Sequence, residues 1–193
     1  MPTAYGTQTG FSVPASVAHS TIFTNAPRNQ AGHASEGHHL GRNAQNYGSP
    51  QSASSNSVAY HRVSRQEQLL FTEINQQTEY GNWYYATQDV QDLTHRSGAD
   101  NTVRQEFVKN GNLDNSADQN FRAINDAWPV FGFSRDLGSV GSSPYTTLFQ
   151  LSLLQVQAVQ FLGKDGVQPV RSLWTSYFAD DVHAVGGPDK TLE

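Results

Sequence analysis

Between Tyr145 and Gln155 the chain alternates, with Thr147, Phe149, Leu151 and Leu153 set against Leu148, Gln150, Ser152 and Leu154. A period of two puts successive side chains on opposite faces of a pleated strand, so this stretch belongs in a sheet with at least one covered face. Comparable β-favouring runs recur from Arg65 onward, separated by turn formers roughly every ten residues, and that spacing predicts an antiparallel sandwich. The run beginning near Arg65 alternates Leu69, Phe71 and Glu73 with Leu70, Thr72 and Ile74 and reads as a strand. Tyr80 to Thr87 reads as the next, with Trp83 and Tyr85 on one face and Tyr84 on the other.

A helix interrupts the pattern. Val103 and Phe107 stand four apart within Asn101 to Asn110, Asp100 is placed as an N-cap, and Gly111 supplies the stop, so the apolar pair is expected to plug one end of the sandwich. After an Asn-, Asp- and Ser-rich loop, Phe121 to Leu137 resumes an apolar pattern. There Pro129 lacks the N–H a ladder needs, which predicts an edge or a bulge. Ala158 to Leu162 and Leu173 to Phe178 complete the strands, with a turn around Lys164-Asp165-Gly166. Ala179 to Glu193 loses its pattern and reads as a frayed tail.

Large apolar residues are scarce before Val58, where Ser, Ala, Gly, Asn, Gln and His dominate without a period. Such a segment buries too little apolar surface to offset the entropy of ordering it, so residues 1–57 are expected to be largely disordered. The exception is Phe11-Ser12-Val13 with Ile22-Phe23, expected to reach a sheet edge. The fold class predicted is therefore mainly β, an antiparallel β-sandwich with one short helix. Its divisions are a low-complexity segment at 1–57, the sandwich at 58–181 and a tail at 182–193.

The charge balance narrows the partners. The net charge is −5 and the nine arginines and three lysines never form a stripe, which speaks against nucleic acid. No apolar run approaches the roughly 20 residues that span a bilayer. The longest, Leu148 to Leu162, is broken by four glutamines and a serine, which speaks against a membrane partner. The opening residues lack the basic and apolar regions of a secretory signal. With no cysteine, disulfides, thiolate nucleophiles and cysteine-held zinc are excluded together.

Candidate chemistry is thin. His33, His38, His39 and Glu36 cluster, but at no spacing typical of a zinc site, and mobile histidines are the simpler account. Asp114 to Asp118 places carboxylates as a calcium loop begins, without its glycine or terminal glutamate. The densest polar patch holds Arg122, Asn125, Asp126 and Trp128. One reading makes it a contact for a ligand or a neighbouring domain with Trp128 as a platform, and the other has Arg122 clamping an irregular connection. Asp89 with Asp92, or Asp180 with Asp181, reads as surface charge, and neither a Gly-x-Ser-x-Gly elbow nor a phosphate loop occurs. No catalytic, cofactor-binding or metal-binding residue is expected.

Five blocks taken in order are specific: Gln68 to Asn75, Trp83 to Thr87, Asn120 to Phe131, Asp136 to Ser143 and Leu173 to Phe178. Together they make the chain from about Val58 to Asp181 similar to the fungal glutaminase A family, in the β-sandwich region ahead of the catalytic domain. The resemblance implies a secreted parent, hence an extracellular setting, that hydrolyses L-glutamine to L-glutamate and ammonia with a helical domain beyond this stretch. It transfers no catalytic residue to any position here. The expectation is an accessory domain whose partner is that helical catalytic domain, present as a fragment or a short form, and exposing an apolar patch where the neighbour docks. The alternative is an autonomous carbohydrate- or ligand-binding sandwich that stacks its target on Trp83, Tyr84, Tyr85 or Trp128.

Overall fold

A computed structural model describes residues 23–24, 47–55, 58–74, 77–121, 126–139 and 141–186. In chain order the strands are β1 (Phe23–Thr24), β2 (Tyr47–Ser55), β3 (Val58–Arg65), β4 (Glu73–Ile74), β5 (Gln77–Thr78), β6 (Asn82–Gln88) and β7 (Leu93–Ala99). Helix α1 (Asp100–Asn110) follows, then β8 (Pro129–Arg135), β9 (Phe149–Leu154), β10 (Gln157–Gly163) and β11 (Gly166–Arg171). A short 3-10 turn (Leu173–Ser176) leads to α2 (Asp181–Gly186). All the strand pairs are antiparallel.

Two sheets form the body, a four-stranded one in the order β2-β3-β6-β9 and a three-stranded one in the order β1-β8-β7. They meet face to face: Ala59 and Val63 of β3 and Tyr85 of β6 pack against Phe131 and Phe133 of β8, with Trp83, Leu93 and Phe149 at the margin. Because side chains alternate across a strand, the intervening residues of the first sheet point the other way. There Tyr60, Tyr84 and Ala86 are covered by Val182 and Val185 of α2. On the outer side of the second sheet, Val130 packs with Val103 and Phe107 of α1 and with Leu113. The order of layers is thus α2, four-stranded sheet, three-stranded sheet, α1.

The expected mainly β antiparallel architecture holds, and so does the split of Trp83 and Tyr85 from Tyr84. Helix α1 ends as predicted, with Gly111 left-handed at φ 71° and its N–H donating to the Phe107 carbonyl at 2.8 Å. Its start differs. Asp100 is the first helical residue and pairs with Arg104 one turn on, while Ala99 occupies the cap position and offers no side-chain bond. Pro129 opens β8 as its first residue, where a missing N–H is tolerated.

Other expectations are corrected. The run after Arg65 is mostly turn, and only Glu73–Ile74 is strand. Local bonds win there: the Gln68 side chain accepts from the Gly81 N–H, Thr72 Oγ1 donates to the Leu69 carbonyl at 2.9 Å, and Phe71 is left-handed at φ 61°. Leu173–Ser176 is a 3-10 turn for the same reason, since Thr175 Oγ1 donates back to the Ser172 carbonyl. The tail is helical through Gly186, capped by Asp180, whose Oδ1 accepts from the His183 N–H at 2.9 Å, and Val185 is buried. The sheet also begins before Val58, because β2 lies within the segment expected to lack structure. Phe23 does reach a sheet edge, pairing with Phe131, whereas Phe11 to Val13, Ile22 and the His33–His39 cluster lie outside the described residues.

One glycine fixes the entry to β6. Gly81 has φ 95°, and a Cβ there would stand 2.7 Å from Gln155 Cγ and 2.9 Å from the Leu154 carbonyl oxygen. Gly81→Ala is therefore expected to destabilise the domain by roughly 1–3 kcal/mol. Equal urea midpoints for the variant and the parent would show that the turn relaxes freely.

Candidate functional site

The polar patch singled out by the sequence is only partly described, since Arg122 and Asn125 fall outside the described residues. Its other two members are exposed. Asp126 and Trp128 flank Ala127, whose carbonyl accepts from the Asp100 N–H at 3.1 Å and so ties the turn to the start of α1. Ala127 and Trp128 are both left-handed, at φ 57° and 46°, a conformation that costs a non-glycine residue about 1 kcal/mol or more. The result lifts the Trp128 ring clear of β8, 53% exposed.

The other aromatic platforms do not survive. Tyr84 and Tyr85 are buried and Trp83 packs on the core between the sheets, so none offers a face to a sugar ring. The reason is positional. β6 is an inner strand between β3 and β9, with one face against the second sheet and the other under α2, so alternation sends every aromatic into an interior.

Beneath α2, Asn82 Nδ2 donates to Asp181 Oδ2 at 2.7 Å. The Tyr84 hydroxyl lies close to the same carboxylate without reaching hydrogen-bond geometry. Burial first, and then the Asp181 charge, push the Tyr84 phenol far above its usual range, so it stays protonated. Asp180 is held below the ordinary carboxylate range by the His183 N–H and ring. The adjacent aspartates therefore serve different partners, one capping α2 and one anchoring it to β6, and do not form a facing pair.

His61 sits wholly inside the core between the sheets. Its ring is 4.5 Å from that of Phe133, and its Nε2–H donates to the Gly132 carbonyl at 3.0 Å. Desolvation drives its pKa from 6.5 down to about 3, which keeps it neutral. Half-buried His95 is lowered for the same cause, against the pull of Asp114 and Asp89. An interior ion pair joins Arg65 to Glu79, whose Oε2 also accepts from Thr72 Oγ1 at 2.7 Å.

Two concavities among the described residues are lined mainly by polar side chains. One, of about 210 Å3, lies where the end of α1 meets β7 and β8 and is lined by Asp92, Thr94, Asn112, Ser134 and Asp136. That is below the usual volume of a small-molecule pocket. The second, of about 470 Å3, is a shallow open groove beside α1 where Arg96 pairs with Glu106 and with Asp114, the latter at 3.0 Å. Among the described residues no three His, Asp or Glu side chains converge on a point where a metal ion could sit. No helix among them is long and apolar enough to cross a membrane.

Sequence reasoning anticipated β10 and its turn but missed β11 and the exposure of the β10–β11 ribbon. The ribbon pairs from Gln157↔Arg171 to Gly163↔Gly166 around the expected Lys164-Asp165 turn, yet Val159, Phe161, Leu162, Val167 and Val170 are all exposed. The signal was present in the sequence as two short apolar runs around a turn in which neither face is consistently polar.

These features define an antiparallel β-sandwich module clad by a helix on each outer face. The chain belongs to the family described as a domain of unknown function (DUF5127), which matches residues 34–187. It is 54% identical over 123 residues to glutaminase A of Aspergillus oryzae, covering 63% of this chain and 18% of that protein. It is 30% identical over 127 residues to a probable glutaminase of Arthroderma benhamiae, covering 62% of this chain and 14% of that one. The chain thus spans less than a fifth of the length of these relatives. No solved structure matches it.

Proposed function

We propose that this chain is an accessory, non-catalytic sandwich domain of a glutaminase-like protein whose parent hydrolyses L-glutamine to L-glutamate and ammonia. The observation that carries the reading is the 54% identity confined to 18% of glutaminase A, so that in this relative the matched stretch is one piece of a much longer polypeptide. Three of its titratable groups are engaged in structure: His61 fills the core, Asp180 caps α2 and Asp181 holds that helix to β6. The partner in this reading is the helical catalytic domain of the parent, and the setting is extracellular, as the family likeness implies. The purified chain, assayed for ammonia release from L-glutamine, is expected to give only the buffer rate. Release that scaled with the concentration of the chain alone would overturn the proposal.

A further inference from the structure

We infer that the β10–β11 ribbon is the docking element of this domain, and that it inserts into an apolar cleft in the part of the longer polypeptide outside the domain. The inference rests on the accessory-domain reading and adds to it where the contact lies and what shape its counterpart has. The register sorts the side chains. Val159 faces Val170, and Phe161, two residues along, shares their side, whereas Leu162 and Val167 face each other on the opposite side.

Both sides are bare. Phe161 is 58% exposed, Leu162 75% and Val167 62%, and none of the five apolar residues belongs to a core cluster. A flat neighbour covers one face of a ribbon, so burying both requires a cleft. Two strands alone are marginal in water, and an uncovered apolar ribbon invites aggregation, so its composition makes sense only with a cover.

The shaft between turn and base carries no charge. Lys164 and Asp165 occupy the tip and Arg171 the root, with the uncharged Gln160 and Gln168 between them, which matches a largely apolar counterpart that carries charge only at its two ends. The root is held in place. Ser172 N–H donates to the Val156 carbonyl at 2.8 Å, Trp174 Nε1 donates to the Gln155 carbonyl at 3.0 Å, and Gln155 Nε2 donates to Thr78 Oγ1 at 2.8 Å. The ribbon is thus aimed before it binds, which lowers the entropy lost on docking. The occupant is the remainder of the polypeptide because 82% of glutaminase A, by difference from the 18% matched, lies outside this stretch. The family match at 34–187 includes the ribbon, which is therefore part of the family's domain.

The test compares this chain with intact Aspergillus oryzae glutaminase A, each with and without glutamates at Phe161 and Leu162 or their equivalents, one on each face. In this chain, Phe161→Glu with Leu162→Glu should leave the urea midpoint unchanged and the chain monomeric, and the ribbon amides should exchange fast. In the intact relative, the same ribbon should exchange slower by roughly 100-fold, and the paired glutamates should abolish that protection. Equally fast exchange in the intact relative overturns the inference. So does a lowered midpoint in the chain alone, which places the ribbon in its own core, or a dimer that the glutamates dissolve, which makes the occupant a second copy. Ammonia release by the chain alone would instead sink the accessory reading, and it is a separate measurement.

Discussion

Replacing Phe133 with alanine is expected to remove about 3–5 kcal/mol of unfolding free energy. The side chain is 1% exposed, and its ring lies 4.5 Å from that of His61 and 5.2 Å from that of Tyr85. It therefore joins β8 of one sheet to β3 and β6 of the other at the centre of the core, where neighbours on both sides resist collapse into the cavity. Domains of this size hold only about 5–15 kcal/mol in total, so the variant should be substantially unfolded near body temperature. Urea titration followed by tryptophan fluorescence measures the loss. Val159→Ala on the exposed ribbon serves as the control, with an expected change near zero. A Phe133→Ala loss below about 1 kcal/mol would mean that this ring does not hold the sheets together.

Acid is the second strong perturbation. The His61 pKa falls from 6.5 to about 3 on folding because burial opposes its charge. Between those values the unfolded chain binds a proton that the folded chain refuses, so stability is fully present above pH 6.5 and is lost as pH falls. The slope approaches about 1.4 kcal/mol per pH unit, so at pH 4.5 the loss from this one side chain is roughly 2–3 kcal/mol. His95 is lowered too and pulls the same way, as do the depressed carboxyls of Asp114 and Asp180. His61→Leu separates the contributions. It leaves the Gly132 carbonyl without its donor and so costs stability at neutral pH, but its dependence on pH between 6.5 and 4 should be distinctly shallower. Parallel curves for the variant and the parent would show that His61 already titrates normally in the fold.

Much of the fold was legible because its signals are local. Alternation in Trp83-Tyr84-Tyr85 assigned each ring to a side of β6, the spacing of Val103 and Phe107 gave the inner face of α1, and Gly111 and Lys164-Asp165 marked a helix end and a ribbon turn. These depend on φ and ψ preferences and on the period of two or 3.6, which a few consecutive residues are enough to set. Where a polar residue entered an inner strand, the pattern misled. β3 carries His61 and Arg62 in mid-strand and was not recognised, because only the tertiary environment keeps an imidazole neutral among Phe131, Phe133 and Tyr85.

The candidate site was less legible still. Sequence placed interest on Arg122, Asn125, Asp126 and Trp128, and of these the described structure exposes Asp126 and Trp128. Tyr84 and Tyr85, offered as platforms, became core. The ribbon shows the other side of the same limit. Its first strand and turn could be read from Val, Phe, Leu and Gly, but nothing in a linear pattern says that no other layer comes to cover them. The sequence by itself determined that β6, β8, β9 and β10 extend, that α1 coils and where several turns fall, because those choices are settled among near neighbours along the chain. Only the tertiary structure decided which faces are covered, how α2 closes over β6 and which apolar residues remain in water, because burial belongs to surfaces brought together from residues far apart.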